Sequence, residues 1–481
     1  METKILTTAD EDLKIAADIL RNGGNVIFPT ETVYGLGADA GCVSAVKNIF
    51  KAKGRPSDNP LIVHISNMSQ LGGIAEEIPD KARLLMDKFW PGPITVILKK
   101  CKNVPYETTA GLDTVAVRMP LSETARRLIE LAQIPIAAPS ANLSGKPSPT
   151  TAKHCIDDMT GRVDAIVCGE DCEVGVESTV IDMSGEVPIL LRPGGITVEQ
   201  LRAVLGRVNV ATSVKEGEAP KSPGLKYKHY SPEAEVIILS GDTDEVYDYI
   251  KTQAKEKKTG MLSFDEFPKI DGIETISLGS VKKPEEAAQR LFGALREMDE
   301  RGVEIVFAPE ISDKNMWSAV RNRLYRAAGE RVVKVSQMNK KKILFVCTGN
   351  TCRSPMAEAI FNHITQERGI CAEAESAGLF ADGSSASENS VAVLKELNID
   401  IEGRPSRQVT AEMIENADLV LTMSSSHKAA LIPLGGDKVK TLAEYAGVSG
   451  EVTDPFGGSA EVYRQCRDLI SDLIEKAVAK L

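Results

Sequence analysis

From residue 233 to the end of the chain, apolar and polar positions alternate between a strand period and a helix period. Short apolar runs predict buried strands at AEVIIL (234–239), GMLSF (260–264) and VEIVFAPE (303–310). Apolar residues at helical spacing predict helices at DEVYDYIKTQAKEK (244–257), EEAAQRLFGALREMDERG (285–302) and WSAVRNRLYRAAG (317–329). Strands that alternate with helices favour a small α/β domain built on a parallel sheet.

The same alternation restarts in MNKKKILFVCTGN (338–350), where a strand of buried type, residues 343–347, follows three lysines. A helix (387–399), a strand (417–423), a helix (425–434) and a final helix from about 460 to 481 complete the pattern. This last part of the chain is therefore predicted to be a doubly wound α/β domain with a parallel sheet.

Residues 1–232 hold most of the prolines and glycine-rich turns. They end in APKSPGLKYKHYSP (219–232), which lacks both periods and is predicted to be a long loop that serves as a lid or linker. We therefore expect three domains: residues 1–232 with this loop at their end, residues 233–338, and residues 339–481.

Composition narrows the class of protein. The 481 residues are 42% hydrophobic and 26% charged, and the net charge of −11 argues against strong nonspecific binding to nucleic acid. Neither a secretory signal nor an apolar run long enough to span a membrane is found, and the nine scattered cysteines suggest reduced thiols. We expect a cytoplasmic protein that does not act at a membrane.

A phosphate-binding loop is predicted at VCTGNTCRSP (346–355). A strand that ends in Cys347, a polar loop and a helix that starts near Ser354 can surround an oxyanion with backbone N–H groups. Arg353 and the start of the helix favour the Cys347 thiolate, and Arg353 can bind two phosphate oxygens. Ser354 can donate a hydrogen bond to the sulfur, and Asp454 in TDPFGGS is the candidate proton donor for the leaving group.

Residues 339–481 resemble the low-molecular-weight protein phosphatase family over their whole length. The family pattern is met by Cys347, Arg353, Ser354 and Asp454, and it implies a cysteinyl-phosphate intermediate on Cys347. Thr351 and DPFGGS resemble the bacterial protein-arginine phosphatases, because tyrosine phosphatases usually have an apolar residue at the position of Thr351. We expect phosphorylated proteins as substrates, with phosphoarginine as the target and phosphotyrosine as the alternative.

The cysteines of this domain bear on two further questions. Arsenate reductases share the loop, but they need another cysteine pair in the middle of the domain, and the chain has no cysteine between Cys371 and Cys466. Cys352 is either a buried residue or the partner of Cys347 in a protective disulfide formed on oxidation.

Several nucleotide motifs are not met in the first 232 residues. GLGADAG (35–41) lacks the dinucleotide-binding pattern and is predicted to be a tight turn, and no P-loop motif occurs. CGEDC (168–172) lacks the two further ligands of a metal site, so no metal-binding residues are assigned.

A second group of residues suggests anion binding. KAKGRPSDNPLIVHI (51–65) places Lys51, Lys53 and Arg55 in a loop with glycine, proline and asparagine, and such a loop could hold polyphosphate. Arg118 lies in an otherwise apolar strand, TVAVRMP (114–120), where a charge needs an anionic partner. Ser140 and Asn142 follow a strand of small residues, and their donors should be accessible.

These motifs closely resemble the threonylcarbamoyl-AMP synthase family, in its longer form, up to about residue 335. Its Lys-x-Arg and Ser-x-Asn signatures stand as Lys53-Gly54-Arg55 and Ser140-Ala141-Asn142, and PTETVYGLG, FWPGPITVIL and SPGLKYKHYSP also match. The resemblance implies a mixed, twisted sheet for the first domain and an accessory α/β domain after it. It also implies synthesis of threonylcarbamoyl-AMP from L-threonine, bicarbonate and ATP, for the machinery that makes N6-threonylcarbamoyladenosine in tRNA.

The resemblance assigns the ligand-binding residues as well. Threonine would be held by Thr32, His64, Arg118, Ala138 and Ser178. ATP would be held by Lys53, Arg55, Asn59, Thr114, Ser140, Asn142, Ser148, Arg192 and Tyr230. Mg²⁺ is expected with ATP, although no carboxylate cluster identifies its ligands. The competing hypotheses are an RNA-binding module without synthase activity and a phosphatase domain that regulates without turnover.

Overall fold

The computed structural model describes residues 2–211, 230–335, 340–368 and 370–481. The chain divides into two compact units, Met1–Val333 and Lys334–Leu481. Most of the predicted lid segment, residues 219–229, lies outside the described residues.

The first part of the N-terminal unit is built on one large mixed sheet. Its strands are β1 (Lys4–Leu6), β2 (Val26–Phe28), β3 (Gly35–Asp39), β4 (Ile62–His64), β5 (Ile94–Lys99), β6 (Thr114–Arg118), β7 (Ile136–Ala138), β8 (Ala165–Val167), β9 (Thr179–Asp182), β10 (Ile189–Arg192) and β11 (Asn209–Val210). Its helices are α1 (Asp10–Arg21), α2 (Val43–Lys53), α3 (Asp80–Phe89), α4 (Tyr106–Thr109), α5 (Glu123–Ala132), α6 (Ala152–Met159) and α7 (Val198–Leu205).

The strand order is β1-β8-β2-β3-β7-β4-β6-β5-β9-β10-β11, with parallel and antiparallel neighbours. The mixed sheet expected from the family resemblance is confirmed. Strands β4 and β6 are parallel neighbours that end side by side at His64 and Arg118, whereas β7 is antiparallel to β4, so Ala138 at the end of β7 lies beside Ile62 at the start of β4.

The predicted tight turn at GLGADAG was wrong, because Gly35–Asp39 is the buried strand β3, antiparallel to β2. A Cβ added at Gly37 would lie 2.7 Å from both Phe28 and Ile136. Glycine is therefore needed here for close packing within the sheet. The same glycines suggest a turn when only the sequence is considered.

The accessory part of the N-terminal unit is a smaller parallel α/β layer. Its strands are β12 (Glu235–Ser240), β13 (Thr259–Ser263), β14 (Glu274–Ser277), β15 (Ile305–Pro309) and β16 (Val332–Lys334), in the order β14-β13-β15-β12-β16. Its helices are α8 (Thr243–Gln253), α9 (Pro284–Glu300) and α10 (Trp317–Ala327). The predicted α/β alternation is confirmed, with β14 and β16 as additions.

The C-terminal unit has a four-stranded parallel sheet in the order β18-β17-β19-β20. Its strands are β17 (Lys341–Cys347), β18 (Ala372–Gly378), β19 (Leu419–Thr422) and β20 (Val439–Thr441). Its helices are α11 (Arg353–Arg368), α12 (Glu388–Lys395), α13 (Ala411–Asn416), α14 (Ser425–Gly435), α15 (Leu442–Ala446) and α16 (Ala460–Val478). Apolar side chains pack against both faces of β17, which is typical of the predicted doubly wound sheet.

Among the described residues, no helix is both long enough and apolar enough to cross a bilayer.

Candidate active sites

A pocket in the N-terminal unit collects most of the predicted ligand-binding residues. All five predicted threonine-binding residues line it: Thr32, His64, Arg118, Ala138 and Ser178. Of the predicted ATP-binding residues, Arg55, Ser140, Asn142, Arg192 and Tyr230 line it too. In the described part of the chain, Lys53, Asn59, Thr114 and Ser148 are not among the residues that line this pocket.

Arg118, at the end of β6, has an internal anionic partner. Its guanidinium lies 2.5 Å from the Glu31 carboxylate and donates to Thr32 Oγ1 at 2.8 Å, and both charged side chains are 4% exposed. Sequence analysis missed Glu31 because the motif PTETVYGLG gives no indication that its glutamate contacts Arg118, which is distant in the chain. The pair fixes Thr32 and Arg118 at the pocket before any ligand binds.

His64 is neutral at physiological pH. Burial, reinforced by the nearby Arg118 charge, lowers the pKa of His64 to about 3. Its Nδ1 lies 3.1 Å from the Ile62 carbonyl oxygen, which can only accept, so Nδ1 carries the proton. A neutral imidazole cannot neutralise a carboxylate, so any ionic contribution to threonine binding must come from the arginines.

Arg192 organises the opposite side of the pocket. Its guanidinium donates to the Ser178 carbonyl oxygen at 3.0 and 3.1 Å and to Ser178 Oγ at 3.2 Å. Ser178 Oγ is also 2.8 Å from Thr95 Oγ1. Burial lowers the pKa of Arg192 to about 10, so the group remains charged at neutral pH and favours an anion nearby.

Lys53 supports the pocket from behind. Its buried ammonium donates to the carbonyl oxygens of Ser140 and Asn142 and to Asn142 Oδ1. These acceptors account for its three N–H donors, so Lys53 holds the Ser-x-Asn loop in shape. The two signature motifs are therefore one structural unit.

Arg55 and Asn59 have unused hydrogen-bonding capacity. Arg55 Nε is buried without a partner among the described residues, and its Nη2 donates to the Asn59 carbonyl oxygen at 3.4 Å. Both amide atoms of the Asn59 side chain are buried and likewise unpaired within the described ranges. Buried polar atoms are seldom left unpaired, so this loop suits a polar ligand. Thr114 is partly buried at the first position of β6, paired with Lys99.

An acidic residue that sequence analysis missed connects this pocket to the accessory domain. Glu177 lines the pocket and accepts from Ser148 Oγ at 2.5 Å and from Arg323 Nε at 2.7 Å. Arg323, from α10, is fully buried and also donates to the Pro193 carbonyl oxygen. Ser148 thus contacts Glu177 in this structure. The sequence signal that could have identified Arg323 as a buried residue is its position among apolar residues of helix α10.

In the C-terminal unit, Cys347 ends β17 inside the predicted phosphate-binding loop. Its sulfur is 2.9 Å from Ser354 Oγ and accepts from the Asn350 backbone N–H at 3.2 Å. Ser354 Oγ accepts from Asn350 Nδ2 at 2.9 Å, and its hydrogen has two acceptors within reach, the Cys347 sulfur at 2.9 Å and the Ala377 carbonyl oxygen at 3.3 Å. The Cys347 sulfur thus has a backbone N–H and a hydroxyl group within hydrogen-bond distance.

Asn350 is a further residue that sequence analysis missed. It is 2% exposed and adopts a left-handed backbone conformation with φ of 57°. Its side chain also donates to Ser376 Oγ and accepts from the Arg407 backbone N–H. The Gly-Asn pair in the loop was a usable signal, since asparagine tolerates this conformation better than most residues.

Arg353 and Asp454 form an ion pair in this structure. Arg353 Nη2 is 2.5 Å from Asp454 Oδ2, and the Asp454 side chain is 50% exposed. Both groups assigned to the phosphate chemistry are thus at one site, with Asp454 on its open side.

The remaining loop residues have defined surroundings. Thr351 Oγ1 is 3.6 Å from Cys352 Sγ, and Cys352 Sγ is 3.2 Å from the Tyr463 hydroxyl. His427, which sequence analysis did not single out, contacts Thr348 Oγ1 through Nε2 at 2.9 Å. Burial, with the charge of Arg353, lowers the pKa of His427.

Neither unit shows a metal-binding cluster: the described residues contain no group of three or more His, Cys, Asp or Glu side chains that could hold an ion.

Known families match three consecutive stretches of the chain. The family described as "Telomere recombination" matches residues 18–194. The family "Threonylcarbamoyl-AMP synthase, C-terminal domain" matches residues 196–329. The family "Low molecular weight phosphotyrosine protein phosphatase" matches residues 342–481.

Individual relatives agree. A threonylcarbamoyl-AMP synthase of Pyrococcus abyssi is 48% identical over 330 residues, which are 67% of this chain and 96% of that protein. A crystal structure of P. abyssi Sua5 complexed with L-threonine is 46% identical, with a TM-score of 0.65, and covers 69% of this chain and 99% of that one. A protein-arginine-phosphatase of Bacillus subtilis is 44% identical over 144 residues, 29% of this chain and 95% of that protein. The chain therefore belongs to the threonylcarbamoyl-AMP synthase family through its N-terminal unit and to the low-molecular-weight protein phosphatase family through its C-terminal unit.

Proposed function

We propose that the chain is a bifunctional enzyme. Its N-terminal unit forms L-threonylcarbamoyl-AMP from L-threonine, bicarbonate and ATP, and its C-terminal unit removes phosphate from protein phosphoarginine. The domain limits 1–232, 233–338 and 339–481 are part of this proposal. The observation that carries the synthase activity is the set of three arginines, Arg55, Arg118 and Arg192, that converge on one pocket. The similarity to the threonine-bound P. abyssi structure supports it.

In the proposed synthase reaction, the threonine amine and bicarbonate give a carbamate and water. A carbamate oxygen then forms a bond to the α-phosphorus of ATP, the bond to the bridging oxygen breaks, and pyrophosphate leaves with the electron pair. The pocket arginines neutralise the phosphates and the threonine carboxylate, while neutral His64 contributes shape and hydrogen bonding. The protein acts mainly by positioning the reactants and stabilising charge.

Asn59 suits the adenine base of ATP. An asparagine amide can pair with the N6 and N7 atoms of adenine, and both amide atoms of Asn59 are unpaired within the described ranges. Thr114 and Ser148 belong to the proposed ATP set, and Lys53 acts within it through Ser140 and Asn142.

Mg²⁺ would enter with the triphosphate. Glu177, the carboxylate that lines the pocket, already accepts from Ser148 and Arg323. The residues around the pocket therefore do not build a protein-held metal site, and the ion would be bound by phosphate oxygens and water. The product would pass to the tRNA-modification machinery in the cytoplasm.

In the proposed phosphatase reaction, the Cys347 thiolate attacks phosphorus, and the bond from phosphorus to the leaving nitrogen breaks. Asp454 gives its proton to that nitrogen, and it later takes a proton from the water that hydrolyses the cysteinyl phosphate. Arg353 binds the phosphate oxygens of the substrate, so its ion pair with Asp454 must break when the substrate enters. That exchange releases Asp454 for proton transfer.

Phosphoarginine is favoured over phosphotyrosine by Thr351 and by the 44% identity to the B. subtilis protein-arginine-phosphatase. A hydroxyl-bearing residue at the loop suits the charged guanidinium of the leaving group better than an aromatic ring does.

The test uses two variants that serve as each other's control. We expect Arg55→Ala to abolish pyrophosphate release that requires threonine, bicarbonate and ATP, without loss of phosphatase turnover. We expect Cys347→Ser to abolish phosphatase turnover on phosphoarginine and phosphotyrosine peptides, without loss of the synthase reaction. If the wild-type chain binds tRNA but releases no threonine-dependent pyrophosphate, the N-terminal unit is an RNA-binding module instead.

A further inference from the structure

The accessory domain contains a cavity of about 270 Å³ that belongs to neither active site. It lies at the carboxyl ends of β12, β13 and β15 and is closed on one side by helix α8. The wall is largely apolar and includes Ile250, Met261 and Phe307, with Phe267 at the rim.

The position of the cavity in the sheet is the one where α/β proteins bind ligands. Strands β12 and β15 are parallel neighbours. After β12 the chain continues to β13 on one side of this pair, and after β15 it continues to β16 on the other side. The two connections run in opposite directions along the sheet, and right-handed crossovers place them on opposite faces. A crevice is thus left at the carboxyl ends of the two strands, which is the usual ligand site of such sheets.

A buried polar group lies in the cavity wall. Ser263, the last residue of β13, is 5% exposed, and its hydroxyl has no hydrogen-bond partner among the described residues. Ser263 Oγ is not among the fully buried, unpaired side-chain atoms of the described residues, so the hydroxyl is open to the cavity and can bond to a ligand there.

The charges around the cavity select the class of ligand. Of the residues that line it, Glu310 carries a charge, and no lysine, arginine or histidine of the described chain is among them. Glu310 lies at the exposed side of the cavity, where one of its carboxylate oxygens accepts from the Tyr325 hydroxyl at 3.3 Å. The N-terminus of α8 does not favour an anionic ligand. Asp242 caps this end of the helix, and Asp244 and Glu245 add negative charge in its first turn. The nearby Arg321 is engaged, since it stacks on Tyr325 and donates to the Ile311 carbonyl oxygen.

We propose that this cavity binds a small organic amine, with its apolar body against Ile250, Met261 and Phe307, its cationic nitrogen toward Glu310, and a hydrogen bond at Ser263. An anionic ligand such as a nucleotide is disfavoured by the same charges.

Three indole probes of nearly equal shape test the proposal on the full chain by calorimetric titration: tryptamine (cation), tryptophol (neutral) and indole-3-acetate (anion). We expect tryptamine to bind one site at least ~10-fold more tightly than indole-3-acetate, because the anion faces Glu310. Glu310→Gln should bring the affinities of tryptamine and tryptophol to within about twofold of each other.

Variants locate the binding site. Ile250→Trp, which fills the cavity, should abolish binding, and Ser263→Val should weaken it even if Ile250→Trp folds poorly. Thr252→Ala, on the solvent side of the same helix, is the matched control and should bind as the wild type does. Three results would each overturn the proposal. They are equal affinities for the three probes, no binding of tryptamine, and binding of tryptamine that is abolished by ATP with threonine but not by Ser263→Val.

Discussion

Single side chains at both sites are set by their neighbours rather than by their type. His64 is a neutral group beside Arg118, and the Ser354 hydroxyl lies between the Cys347 sulfur, the Asn350 amide and the Ala377 carbonyl oxygen. The chemical role of a residue at these sites can therefore be stated only when its contacts are known, and the sequence alone does not give those contacts.

Thr351 is expected to determine the phosphatase substrate. Thr351→Ile should lower kcat/KM for phosphoarginine peptide and raise it for phosphotyrosine peptide, since an apolar residue suits a phenol ring and not a cation. A tenfold change in the ratio requires only about 1.4 kcal/mol between the two transition states. Thr351→Ser, which keeps the hydroxyl, should leave the ratio nearly unchanged. If Thr351→Ile also leaves it unchanged, the phosphotyrosine reading becomes the better one.

His64 should make the N-terminal unit sensitive to acid. Its pKa is about 3 when folded and 6.5 in its ordinary state, so the unfolded chain binds the extra proton between these values. The contribution of neutral, buried His64 to the free energy of unfolding is therefore complete above pH 6.5, and it is lost as the pH falls toward 3. We expect His64→Gln, which cannot titrate, to lose less of its unfolding temperature than the wild type between pH 7 and pH 4.5 in calorimetry. Equal losses would show that His64 does not contribute.

At the scale of elements, the loop that follows β7 depends on the end of helix α2. Lys53, the last residue of α2, donates to Ser140 and Asn142 through its buried ammonium. The Lys-x-Arg and Ser-x-Asn motifs are 85 or more residues apart in sequence but form one hydrogen-bonded unit.

Lys53→Met should therefore damage the synthase through structure. Buried acceptors left without a donor cost about 1–3 kcal/mol each, so the unfolding temperature of the N-terminal unit and the synthase turnover should both fall. Lys51→Met, two residues away and exposed, is the matched control and should leave the unfolding temperature unchanged. Loss of turnover in Lys53→Met at an unchanged unfolding temperature would instead indicate direct contact with ATP.

Elements with strong periodicity were predictable and the others were not. The strands β12, β13, β15, β17 and β19 were identified because they are continuous apolar runs. β18, with the sequence AEAESAG, was missed because its small and acidic residues carry no strand signal although β17 pairs with it over seven residues. β3 was read as a turn because two of its five residues are glycine.

The candidate sites show the same limit. Motif residues such as Arg118 and Cys347 could be named from sequence because their chemistry is unusual for their position. Glu31 and Glu177 could not, because each acts through a contact with a residue distant in the chain, whereas Asn350 was missed although the Gly-Asn pair in its loop indicates a left-handed residue.

Within the N-terminal unit, the accessory domain is tied to the catalytic pocket by a buried ion pair. Arg323 and Glu177 are 0% and 8% exposed and lie 2.7 Å apart. The accessory domain thus contributes to the electrostatics of the pocket as well as to the size of the unit.

Arg323→Met should leave Glu177 charged and unpaired in the interior, which costs about 3–5 kcal/mol. We expect a lower unfolding temperature of the N-terminal unit and weaker synthase activity, with unchanged phosphatase turnover. The double variant Arg323→Met/Glu177→Gln should recover part of the stability, because the uncompensated charge is removed. A double variant no more stable than Arg323→Met would show that packing, not charge, is what Arg323 provides.

The described residues of each candidate site lie within one unit, Met1–Val333 or Lys334–Leu481. One translation event therefore delivers one synthase site and one phosphatase site, and their molar ratio is constant at every level of expression. Transcription of this chain cannot raise one of its activities over the other. Any separate adjustment has to act on an individual site after synthesis, through its own ligands, inhibitors or chemical modification.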